Sequence, residues 1–157
     1  MPKITPFLWF DHQAEEAANF YTSVFKNSKV GAIARYSEAG PGPAGSVMTV
    51  EFTLDGQPFT ALNGGPHYTF NEAVSFVVHC EDQAEVDQVW AQLTAGGKEV
   101  QCGWLKDKYG LAWQIVPKRF LELIMDPDPV RKGRVMKAMF QMKKLDLPKL
   151  EAAYRQS

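Results

Sequence analysis

Cysteine is nearly absent from this chain. Cys80 and Cys102 stand alone among 157 residues, without the paired spacing of a zinc site and too few for a disulfide framework. That usage fits a reduced, cytoplasmic setting, a bridge between the two being the alternative. No charge of one sign dominates: the formal net charge is −1, which excludes a basic field for nucleic acid. No apolar run approaches the roughly 20 residues of a membrane span, and the opening Met-Pro-Lys-Ile-Thr-Pro lacks the apolar core of a secretory leader. No glycine-rich turn opens a helix after a strand, so the usual cradle for a nucleotide-type cofactor is missing. Ser, Cys and His form no recognisable nucleophilic motif.

What is present is an ordinary globular composition, 45% apolar and 22% charged, in a chain long enough for one compact domain with a real core. The chain also repeats itself. Phe7-Leu8-Trp9-Phe10-Asp11-His12-Gln13-Ala14-Glu15 is echoed by Val77-Val78-His79-Cys80-Glu81-Asp82-Gln83-Ala84-Glu85. In each copy an apolar run ends in an acidic residue and Gln-Ala-Glu opens a helical pattern. Thr5 then aligns with Ser75, Phe20 with Trp90 and Val30 with Val100. Two copies imply a duplicated module with a cleft where the modules meet, in place of a solenoid.

Residues 4–10 read as a strand with Pro6 near its start. Over 13–25 a helix places Ala14, Ala17, Ala18, Tyr21, Val24 and Phe25 on one face. Val30–Tyr36 is a strand, 40–45 a Gly-Pro loop, and Ser46–Leu54 alternates with Met48, Val50, Phe52 and Leu54 inward. Asp55-Gly56 signals a hairpin that returns through Pro58 to Leu62. The first module is therefore β-α-β-β-β. In the second, Ala73–Cys80 is a strand and 84–93 a helix burying Val86, Val89, Trp90 and Leu93, stopped at Gly96-Gly97. Lys98–Leu105 and Leu111–Val116 follow as strands. Beyond Pro117 the pattern turns helical, with Asp128 as an N-cap before Pro129 and a last helix from about Asp146–Pro148.

Gly56-Gln57-Pro58-Phe59, Asn63-Gly64-Gly65-Pro66, Cys102-Gly103-Trp104-Leu105-Lys106-Asp107 and Tyr109-Gly110-Leu111-Ala112-Trp113-Gln114-Ile115-Val116-Pro117, with the paired modules, resemble the PhnB-like branch of the vicinal-oxygen-chelate superfamily. This is the glyoxalase/bleomycin-resistance/dioxygenase group. The resemblance takes in nearly the whole chain, including the C-terminal helices. It implies an α+β fold of two paired βαβββ modules (1–65 and 70–117) with a helical extension at 118–157, in a single domain over 1–157, curled around a cavity and completed by homodimerisation. Members often carry the label 3-demethylubiquinone-9 3-methyltransferase, an activity at odds with the missing glycine-rich turn.

By strand position the resemblance carries the metal-ligand places of metal-dependent members onto Thr5, Asn63, Ser75 and Gln114. These are hydroxyl and amide groups, whereas a divalent transition metal prefers imidazole or carboxylate donors. No firmly bound metal and no other cofactor is therefore expected. His67, in a glycine-rich loop, is a pocket residue or a plain loop histidine; His12 and His79 read as surface or structural. Trp9, Trp104 and Trp113 lie on or beside strands, either as core or as the wall of a small-molecule site. Asp107 reads as a solvated turn, with the cavity rim as its alternative, and Glu51 as pocket or solvent-facing. Met125, Met136, Met139 and Met142 suggest packing across a dimer or onto the sheet over an adaptable binding surface.

The expected ligand-binding set is Thr5, Trp9, Asn63, His67, Ser75, Trp104, Trp113 and Gln114, for a small organic ligand in an aromatic-lined cavity. The alternatives are a divalent-metal lyase, isomerase or dioxygenase using Gln114, Asn63 and His67, and a drug-sequestering resistance protein.

Overall fold

A computed structural model of the chain describes residues 2–156. They form two compact units, one ending at Phe70 and the other beginning at Asn71.

The first unit runs β1 (Phe7–Phe10), α1 (Ala14–Val24), β2 (Lys29–Arg35), β3 (Val47–Leu54) and β4 (Gln57–Asn63), with the sheet ordered β1-β4-β3-β2. Alternation divides the sheet into two faces. Leu8, Phe10, Val50, Phe52, Leu54, Phe59 and Ala61 are buried beside Ala14, Ala17, Ala18, Tyr21 and Val24 of α1. Small residues on the helix let it approach closely, and Tyr21 then fills the remaining volume by stacking near Phe52, 6.2 Å between centroids. Phe7, Trp9, Glu51, Thr60 and Leu62 occupy the other face, half-buried or exposed. The Asp55-Gly56 turn has φ 48° and 80°, the doubly left-handed geometry that matches strand twist and favours this dipeptide. The strand expected over 4–10 begins at Phe7; Thr5 lies ahead of it and is exposed.

The second unit runs β5 (Ser75–Cys80), α2 (Gln83–Thr94), β6 (Lys98–Glu99), β7 (Trp104–Lys106) and β8 (Ala112–Pro117), ordered β5-β8-β7-β6. It repeats the first unit's topology, including the parallel outer pair β5–β8 that matches β1–β4. The single strand expected over Lys98–Leu105 is in fact two. Cys102 and Gly103 adopt left-handed φ of 59° and 87°, and the chain reverses between β6 and β7, which pair antiparallel. Glycine at 103 has a packing reason as well, since a Cβ there would stand 3.0 Å from Leu145 Cγ.

Helices α3 (Lys118–Ile124), α4 (Pro129–Met139) and α5 (Leu147–Arg155) complete this unit. Val116, Phe120, Leu123, Val135, Met139, Leu145 and Leu150 make their own buried cluster. Asp128 caps α4 by accepting from Val130 N, and Asp146 caps α5 by accepting from Lys149 N. Gln83 fastens the extension to α2: its Oε1 accepts from Leu147 N at 2.7 Å and its Nε2 donates to Leu145 O at 2.9 Å. No helix among the described residues is long and apolar enough to cross a membrane.

Candidate functional site

The open face of the first sheet carries an aromatic platform. Trp9 Nε1 donates to Gly65 O at 2.9 Å, so the loop after β4 folds back over the indole. The loop is itself pinned to β1, with Gly64 N donating to Phe10 O and Gly65 N to Asp11 O. A Cβ on Gly64 would fall 2.4 Å from Trp9 Cε2 and Cζ2; only glycine lets the ring lie against this backbone. Tyr68 meets Trp9 edge-on at 4.9 Å and 83°, and His67 at 6.5 Å and 69°. Tyr68 remains 68% exposed, leaving aromatic surface in reach of solvent. Sequence reasoning found Trp9 and His67 but not Tyr68 or the need for glycine at 64. The signal was the Gly64-Gly65 pair placed between the strand and two further rings.

Asn63 sits on the opposite side of its strand and is fully engaged. Its Oδ1 accepts from Ala14 N at 2.8 Å and its Nδ2 donates to Val47 O at 3.1 Å. The reason lies in the repeat. Asp82 caps α2 by accepting from Glu85 N, and Glu85 Oε1 reaches back to accept from Glu81 N, just ahead of the cap. The first copy has His12 at the aspartate's place, and Gln13 makes no side-chain cap to α1. Asn63 supplies that cap from a distant strand. Asn63→Ala is expected to cost about 1–2 kcal/mol, read as a lower urea midpoint with unchanged m-value.

Strand register also reassigns a counterpart. Phe7 pairs with Thr60 across β1–β4, and Val77 with Gln114 across β5–β8. Since Phe7 and Val77 are equivalent in the repeat, the partner of Gln114 is Thr60, not Asn63. In the second unit, Gln114 Nε2 donates to Ser75 Oγ at 3.0 Å, and Trp104 stands beside Gln114 across the ladder. Lys106 forms an ion pair with Glu72, and that hydrogen bond and charge hold the Glu72 carboxyl below the usual carboxylate range.

Trp113 has the parity opposite to Gln114 and is 3% exposed, inside the helix-side core against Phe76 at 5.7 Å. Its Nε1 donates to Asp107 Oδ2 at 2.9 Å. Asp107, expected in a solvated turn, is also 3% exposed; Oδ1 accepts from Tyr109 N and Leu111 N. It organises the loop between β7 and β8.

The remaining candidates stand apart from these faces' polar contacts. His12 is exposed beside Asp11, and His79 is exposed. Both cysteines are free thiols. Burial, aided by Glu85, Asp82 and Glu81, pushes the Cys80 thiol up to about 12, far from the thiolate a nucleophile requires. Among the described residues no three His, Cys, Asp or Glu converge to hold a metal. The Thr5, Thr60, Ser75 and Gln114 side chains offer only neutral oxygens, which do not fit a divalent transition metal. Neither strand-to-helix turn, Asp11–Gln13 or Glu81–Asp82, contains glycine, which does not fit a nucleotide-type methyl donor.

Topology and register define the class: an α+β protein of the glyoxalase/fosfomycin-resistance fold. Solved structures with this fold include a YycE protein from Bacillus subtilis of unknown function, described with glyoxalase and fosfomycin-resistance proteins. It is 18% identical, with TM-score 0.51, over 72% of this chain and 87% of that one. Another is the fosfomycin-resistance protein FosX of Listeria monocytogenes, 12% identical, with TM-score 0.51, over 74% of this chain and 93% of that one. More specifically, a family model described as 3-demethylubiquinone-9 3-methyltransferase matches residues 2–116. A PhnB protein from Bacillus cereus described in the same terms is 41% identical, with TM-score 0.68, over 74% of this chain and 99% of that one. The chain belongs to this PhnB-like family. No curated protein matches it. The family match ends at residue 116, so the expectation that the resemblance takes in the C-terminal helices is corrected: α3–α5 lie beyond it.

Proposed function

We propose that the protein binds a small aromatic organic molecule on the Trp9 platform without a firmly held metal. The observation that carries this reading is the pinned, half-buried indole with Tyr68 and His67 edge-on beside it. Such an arrangement offers a rigid apolar face and two polar ring edges at little entropic cost to the protein. The ring of a phenol or quinone, the chemistry named in the family's description, has the right shape for it. Trp104 with the Ser75–Gln114 pair is the corresponding surface of the second unit, adding an amide and a hydroxyl for orientation. Of the ligand set inferred from sequence, Trp9, His67, Ser75, Trp104 and Gln114 keep that role. Asn63 and Trp113 are assigned to support, Thr60 takes the place given to Asn63 on the open face, and Thr5 lies ahead of β1.

The methyltransferase name does not transfer to this chain in this reading, because nothing in either strand-to-helix turn suits the donor. We further infer a cytoplasmic homodimer. Phe7, 58% exposed on β1, and Val77, 42% exposed on β5, present apolar surface that a second copy would cover.

The test is a melting series with phenol, catechol and 4-hydroxybenzoate, with and without EDTA. At least one phenol should raise Tm and quench indole fluorescence, and Trp9→Phe should weaken its binding about tenfold. EDTA should leave both readouts unchanged. A chelator-dependent fall in Tm, or phenol binding indifferent to Trp9→Phe, would overturn the reading.

A further inference from the structure

The charge of the chain is unevenly distributed. Residues 118–157 carry ten Lys and Arg against five Asp and Glu, whereas residues 1–117 carry seven against thirteen. The basic part is the helical extension beyond the family match, and it contains a cavity of about 550 Å³ lined by Asp128, Arg131, Arg134, Tyr154, Arg155 and Gln156. Three guanidinium groups therefore face one lining carboxylate.

Arg134 is the firmly held member of the three, while Arg131 and Arg155 are exposed at the rim. Arg134 is half-buried and donates from Nε to Ala153 O at 2.9 Å and from Nη2 to Tyr154 O at 3.0 Å. These acceptors are neutral carbonyls at the end of α5. They fix the guanidinium plane but do not neutralise its charge. Arg131 lies over the Tyr154 ring at 5.7 Å and within 3.6 Å of Asp128. Asp128 itself is occupied capping α4. Arg155 donates from Nη1 to Glu151 Oε2 at 3.1 Å, and the Tyr154 hydroxyl donates to Asp126. Each guanidinium has five N–H donors, so one or two bonds apiece leave most of them for a ligand. The lining itself carries a surplus of two positive charges, with the Glu151 and Asp126 carboxylates paired at its edge.

We propose that this cavity is a second binding site, for a dianionic phosphate ester. A phosphate monoester matches the surplus of the lining in charge and accepts bidentately from guanidinium forks. A monocarboxylate would satisfy only half the charge. The site rests on residues separate from the Trp9 platform, so the two can fail independently.

The experiment is titration calorimetry and thermal melting of the full chain with phenyl phosphate. Benzoate and potassium chloride at matched ionic strength serve as controls. Phenyl phosphate should bind and raise Tm beyond both controls, and Arg155→Gln and Arg131→Gln should each weaken it at least tenfold. Arg134→Lys should do the same; because it also disturbs the α5 carbonyl contacts, its folding is checked by circular dichroism and the two glutamine variants decide if it unfolds. Flotation with phosphatidic-acid vesicles separates the sources of the phosphate. Binding to phenyl phosphate supports a soluble ester, and binding confined to vesicles would overturn that in favour of a lipid headgroup. Phenyl phosphate stabilising no more than chloride, with no vesicle binding, or affinity indifferent to Arg155→Gln and Arg131→Gln, overturns the site.

Discussion

Asp107→Ala is expected to lower the unfolding free energy by about 3 kcal/mol, a Tm fall of roughly 6–12 °C for a chain of this size. The change removes the acceptor for three donors at once, Tyr109 N, Leu111 N and Trp113 Nε1. Leu111 and Trp113 are 2% and 3% exposed, so water cannot readily take the carboxylate's place, and an unmade buried hydrogen bond is costlier than a made one is favourable. Asn in place of Asp does not rescue it: an amide that keeps Oδ1 toward the backbone turns an N–H toward the indole N–H. Trp113→Phe, which removes one donor and keeps most of the packing, should lose about 1–2 kcal/mol. Urea unfolding followed by tryptophan fluorescence reads both variants. Equal stability of Asp107→Ala and the parent would mean that the 106–111 loop is resolvated freely and does not order β7 and β8.

This aspartate also shows where sequence reasoning stops. Periodicity placed α1, α2 and their buried faces correctly, because a helix repeats its environment every three or four residues. The Asp55-Gly56 turn and the Asp128-Pro129 cap were legible for the same reason: their chemistry is local. Asp107 was not, since a charged residue between two lysines gives no local sign that a buried indole six residues on will claim it. The capping role of Asn63 is illegible for a similar reason. Its partner, the first turn of α1, lies 49 residues earlier, and the missing cap is visible only when His12 is compared with Asp82. The β6–β7 reversal was hidden because Cys102, a residue seldom left-handed, carries half of it. Trp113 and Gln114 were grouped as one site although adjacent strand residues point to opposite faces. The architecture depends on many repeated weak signals, while each site residue depends on a single distant contact.

The Trp9 platform permits a test that needs no ligand. Gly64→Ala puts a methyl group at 2.4 Å from the indole, well inside contact distance. The Trp9 backbone is held between Leu8 and Phe10 in the parallel ladder with β4, so the side chain must yield. Moving the ring breaks the bond to Gly65 O and the edge contacts to Tyr68 and His67. The expected cost is about 2–3 kcal/mol. Trp9→Phe alone should cost about 1–2 kcal/mol, from the lost N–H bond and lost ring area. The smaller phenyl ring leaves room for the added methyl group, so the double variant should be less destabilised than the sum of the singles by about 1 kcal/mol or more. Strict additivity would show that the ring and the Gly64 backbone are not in contact in solution. Phenol binding should follow the same cycle. Gly64→Ala leaves every ring in place chemically but displaces the indole, so its affinity should fall at least tenfold, about 1.4 kcal/mol. A ligand that resists both single variants binds somewhere other than this face.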